Sequence, residues 1–87
     1  MMSLMKIYDT AYPSPPTPFD RIPDQVQTVI ASVAFQYGDL PGRCPHFWST
    51  AIRQNWSATI NELEHFGDGY GPRRLREAAY LRPVLTA

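Results

Sequence analysis

The chain has 87 residues, 44% hydrophobic and 13% aromatic, with eight basic against eight acidic side chains and a single cysteine. This length allows one core that buries roughly 60–65% of the unfolded surface, the apolar content excludes a disordered chain, and a lone Cys44 excludes an intramolecular disulfide. A formal net charge of zero argues against a whole-surface footprint for nucleic acid, and with no apolar run long enough for a bilayer span or a signal-peptide core, the expected compartment is the cytoplasm, with no membrane partner.

The first stretch, MMSLMKIYDTAY, supplies Leu4, Met5, Ile7 and Tyr8, enough for one short extended segment over residues 3–9, which either finds a pairing edge as a strand or lies across the helices. The next, YPSPPTPFDRIP, carries Pro13, Pro15, Pro16, Pro18 and Pro23, a density that rules out helix and favours polyproline II as far as Asp20. Residues 1–20 are therefore expected to form an extended arm and a proline strap. Tyr12 and Phe19 should pin the strap to the domain, and a strap laid over Phe35 is the alternative to leaving that ring open for a partner. The PxxP spacings lack the flanking basic residue that a groove-binding ligand would carry.

Residues 21–82 are expected to hold three helices. Asp20 is a suitable N-cap for a first helix over 21–37, closed by Gly38. Val26, Val29, Ile30, Val33 and Tyr37 share one face at 3.6 residues per turn, while Phe35 points the other way with Gln25, Thr28, Ser32 and Gln36. GDLPGRCP reads as a loop. Trp48, Ile52, Trp56, Ile60, Leu63 and Phe66 keep one phase from Pro45 onward, which predicts a long central helix of about 20 residues, with a break near Ser57 as the alternative. Gly67, Gly69 and Gly71 end it, and Pro72 opens a third helix to Arg82 with Leu75, Ala78 and Ala79 facing inward. The fold class is thus mainly α: a small three-helix single domain with a long central helix, an N-terminal extended arm and a proline-rich strap.

In GYGPRRLREAAYLRP, Arg73, Arg74 and Arg76 fall in the first turns of that last helix, where the helix dipole disfavours cations. With Tyr70 and Tyr80 beside them, they suggest a corner that receives an anionic or carboxylate-bearing partner. The bland reading is that Glu77 and Asp68 neutralise them within the domain. Arginine, Tyr and an uncovered Phe35 are the side chains that anchor protein interfaces, and a charged fraction of only 18% favours association, including homo-oligomers. Cys44, His46 and His65 are too few for a structural metal site, and no motif supplies a catalytic pair. The expected function is therefore a small non-enzymatic module that binds a larger protein, using no cofactor and no metal. By analogy with compact, motif-free, arginine-rich proteins of phages and mobile elements, it extends to an inhibitor that occludes a host or defence protein, an anti-CRISPR being one example. The alternative is a DNA- or RNA-binding regulator that uses the arginine-rich C-terminal helix.

Overall fold

A computed structural model describes residues 3–12, 14–67, 69 and 71–86. The mainly α expectation holds: the order is α1 (Leu4–Asp9), a 3₁₀ turn (Phe19–Arg21), α2 (Asp24–Tyr37), α3 (Leu40–Arg43), α4 (Pro45–Ile52), α5 (Trp56–Glu64), α6 (Gly71–Leu81) and a 3₁₀ tail (Arg82–Thr86), with no strand among the described residues.

The N-terminal segment is a helix and not a strand. Leu4, Ile7, Tyr8 and Ala11 all pack against the core, and their spacing of three and four is helical. Ser3 caps the start by accepting from the Lys6 N–H at 3.2 Å, and the Thr10 hydroxyl donates to the Lys6 carbonyl at 2.7 Å at the end. The strap, described from Ser14 onward and extended at Pro18 (φ −63°, ψ 158°), is held at its far end, where the Phe19 N–H donates to Asp9 Oδ1 at 2.8 Å. The Phe19 ring stands edge-on to Tyr8 at 5.4 Å. Tyr12 does not share in this pinning, being 96% exposed, and the strap leaves Phe35 uncovered, 89% exposed.

The first long helix starts at Asp24, three residues later than Asp20 capping would place it. Pro23 is the reason: a residue before proline is pushed to extended geometry, and Ile22 has φ −76° and ψ 162°. Asp20 sits instead in the 3₁₀ turn. The α2 core stripe is as the spacing implies, with Val26, Val29, Ile30 and Val33 buried. Gly38, at φ 76°, ends the helix. The expected loop after it contains α3, because the Asp39 carboxylate accepts from the Gly42 N–H at 3.2 Å and buries Leu40. A side chain at position 42 would collide with that carboxylate.

The expected single central helix is two. Trp48 and Ile52 on α4, and Ile60 and Leu63 on α5, do face the core, but the chain turns between them with Gln54 at φ 59°. Asn55 then caps α5, accepting from the Ala58 N–H at 3.2 Å. A non-glycine residue in left-handed geometry is unfavourable by roughly 1–2 kcal/mol. Gln54 offsets this by bonding the strap: its Nε2 donates to the Thr17 carbonyl at 2.9 Å, and the Thr17 hydroxyl donates to its Oε1 at 2.9 Å. The helix break and the strap therefore hold each other. The molecule measures 30 × 29 × 18 Å, about two helix diameters thick in its short dimension, so most helices keep an outward face.

Tyr8 joins these parts. It is fully buried, its hydroxyl donates to the Ala51 carbonyl at 2.6 Å, and it accepts from Gln54 Nε2 at 3.4 Å. Burial raises its pKa above 10.0, with nearby Asp9 adding to the shift and the Gln54 hydrogen bond opposing it. A phenol whose folded pKa is raised contributes stability that is fully present below its unfolded value and lost as pH rises through the folded one. Tyr8→Phe should cost about 0.5–1.5 kcal/mol in urea unfolding at neutral pH, because it removes one buried hydrogen bond while the Ala51 carbonyl keeps the Gln54 N–H at 3.1 Å. The same variant should flatten the loss of stability that wild type shows above about pH 10.

Candidate functional site: a groove between α2 and α6

A cavity of about 420 Å³ lies between two helices and is lined by Thr28, Val29 and Ser32 on one side and Arg73, Arg76, Glu77 and Tyr80 on the other. Helical spacing makes the walls. Thr28, Ser32 and Phe35 are four and three residues apart, so Phe35 continues the α2 wall about one turn past Ser32. Arg73, Arg76 and Tyr80 line the α6 wall at steps of three and four. The walls are tied where Arg73 Nη2 donates to the Ser32 hydroxyl at 3.0 Å. Thr28 turns its hydroxyl back to the Asp24 carbonyl at 3.0 Å.

Behind this wall is a feature the sequence reading placed on the surface. Arg74 is fully buried, its Nη1 donating to Glu77 Oε1 while its guanidinium lies over the Phe66 ring at 5.4 Å from the centroid. Glu77 is 8% exposed, and its second oxygen faces Arg73 Nε at 3.9 Å. The inward face of α6 is therefore Arg74, Glu77, Ala78 and Leu81. Leu75, expected inside, is 54% exposed, and Ala79 is exposed too. Ala78 is inside as the spacing predicts, while Arg74 and Glu77 take the inward places that apolar content alone assigns to Leu75 and Ala79. Opposite charges three residues apart form a self-neutralising unit that can be buried together, and an aromatic face accepts the cation.

Arg73, Arg76, Tyr80 and Phe35 are thus brought to one surface, Arg74 is removed from it, and Tyr70 lies outside the described residues, as does Asp68. Arg76 makes no ion pair or hydrogen bond among the described residues. Glu77 does neutralise part of the cluster, but its carboxylate is committed inward to Arg74 and sideways to Arg73, so the groove keeps a positive surplus. Thr28 and Ser32 were legible as neighbours of Phe35. Their pairing with α6 was not, because it depends on how two distant helices pack.

Cys44, His46, Glu62 and His65 line a second cavity of about 180 Å³. Among the described residues no group of three or more His, Cys, Asp or Glu is placed to hold a metal ion. His65 Nδ1 is within hydrogen-bond distance of the Asn61 carbonyl at 2.9 Å, and Cys44 is buried. Among the described residues no helix is long and apolar enough to cross a membrane.

A family model matches residues 1–57, more than half of the chain, under the name Pesticin and the description "Bacterial toxin homologue of phage lysozyme, C-term". The chain belongs to the Pesticin family. The Pesticin segment runs from α1 to the first residues of α5, so it includes the α2 wall of the groove, while α6 with its arginines lies beyond the matched residues. No curated protein and no solved structure matches the chain.

The buried pair should dominate the energetics of α6. Glu77→Ala removes the carboxylate facing a buried guanidinium and should lower the free energy of unfolding in urea by roughly 3–5 kcal/mol. Arg73→Gln, at a side chain 46% exposed, should change it by less than about 1 kcal/mol.

Proposed function

We propose that this chain acts on the bacterial cell wall as a lysozyme-related toxin module, its α2–α6 groove holding the wall polymer. The observation that carries this reading is the Pesticin match across residues 1–57, whose description names a toxin homologous to phage lysozyme. Lysozymes cleave the glycosidic backbone of the wall. A groove with hydroxyls at Thr28 and Ser32, guanidinium donors at Arg73 and Arg76, and a ring at Tyr80 suits a polymer that is polyhydroxylated, partly charged and apolar on its sugar faces.

Cleavage needs a carboxylic acid and a second carboxylate flanking the scissile bond, roughly 5–9.5 Å apart. Among the described residues the groove holds one carboxylate, Glu77, which is engaged by Arg74 and faced by Arg73. The role proposed for the groove is accordingly to grip the polymer and not to break it. Purified chain mixed with isolated sacculi should sediment with them and leave their turbidity unchanged. Chain left wholly in the supernatant would remove the cell-wall reading, and falling turbidity would remove the binding-only role.

A second reading, binding to a larger protein as an occluding inhibitor of a host or defence factor, is favoured by Phe35, 89% exposed beside the arginine wall, since an uncovered ring next to Arg and Tyr is a typical interface anchor. Phe35→Ala would abolish capture of such a protein while leaving sedimentation with sacculi largely intact. The regulator reading is weakened by the interior position of Arg74, which leaves Arg73 and Arg76 to meet phosphates at the start of α6.

A further inference from the structure

We infer that the groove recognises the short peptides borne by the wall polymer, through their free carboxylates, rather than its sugars. This deepens the cell-wall reading and rests on it. Charge is the argument. Arg73 and Arg76 stand one helical turn apart on the same wall, and Glu77, the groove's one acid among the described residues, is shared between the buried Arg74 and Arg73 Nε at 3.9 Å, so one carboxylate stands against three guanidinium groups. Arg73 is steadied by Ser32 at 3.0 Å, which orients its guanidinium without neutralising it. Arg76 has no acidic partner among the described residues.

Two cations in one groove are redundant for a chain of neutral N-acetylated sugars. They match a ligand that presents carboxylates, which guanidinium groups bind through paired, charge-assisted hydrogen bonds. The cross-linking peptides of the wall carry such carboxylates at side chains and chain ends, separated by short apolar stretches. The half-exposed Tyr80 ring offers apolar surface on the same wall, and about 420 Å³ is within the range of small-ligand pockets. The groove opens along two helix faces, so a peptide attached to a long glycan can enter without threading.

The test uses the full chain and two soluble probes, a disaccharide carrying its peptide and the same disaccharide without it, in isothermal titration calorimetry. The expected result is binding of the peptide-bearing probe alone, weakening as salt is raised. Arg73→Gln combined with Arg76→Gln should reduce that affinity by about tenfold or more, with the helical circular dichroism spectrum unchanged. Equal binding of the two disaccharides, no binding of the peptide-bearing one, or an unaltered affinity in the double variant would each overturn the inference. A parallel sedimentation with sacculi freed of secondary polymers, before and after amidase removal of the peptides, separates the two levels of failure. Retention by stripped glycan as strong as by intact sacculi defeats the peptide inference and leaves the cell-wall reading standing. No retention by either defeats both.

Discussion

The buried ion pair between Arg74 and Glu77 sets the rotation of α6, and through it everything the surface offers. Taking a guanidinium and a carboxylate out of water costs several kcal/mol for each ion, so these residues are tolerated inside only together. Phe66 adds its ring face to the cation. With Arg74 and Glu77 on the inner face beside Ala78 and Leu81, Arg73, Arg76 and Tyr80 fall on the groove wall and Leu75 is exposed. A helix with an unbroken apolar stripe would have turned differently and shown a different set of side chains. Specificity of orientation, more than net stability, is what such a pair supplies here.

The far side of the molecule is organised by Tyr8, Gln54 and the strap. The break between α4 and α5 divides what would be a rod of about 30 Å into two short helices. Gln54 accepts unfavourable backbone geometry at the break and returns hydrogen bonds to the strap and to Tyr8. The Pesticin match covers this whole assembly, from α1 through the break. The groove combines a wall from within the matched residues with a wall from outside them, so its binding chemistry rests on both parts of the chain.

Much of this was legible in the residues. The α2 stripe, the inward faces of α4 and α5, the limits of α6 and the outward set Arg73, Arg76, Tyr80 and Phe35 all follow from helical spacing. The failures share a physical cause. Leu4, Ile7, Tyr8 and Ala11 have helical spacing but so short a run that local pattern is ambiguous, and burial of Tyr8 decides it. The phase of Trp48 through Phe66 survives the turn at Gln54 because the turn is stabilised from the strap, 37 residues away in sequence. Arg74 looked like its neighbours because a hydrophobicity count treats every arginine as a surface residue, and only the Glu three positions on hinted otherwise. The α2–α6 pairing had no local signal at all.

The most direct test of the central claim is the solvent exchange of the arginine side chains by ¹⁵N nuclear magnetic resonance. Guanidinium protons of Arg74 should exchange slowly and show contacts to the Phe66 ring, while those of Arg76 exchange at the rate of a free side chain. Equally fast exchange for both arginines, with no contact between Arg74 and Phe66, would contradict a buried pair and with it the orientation of α6 on which the groove depends.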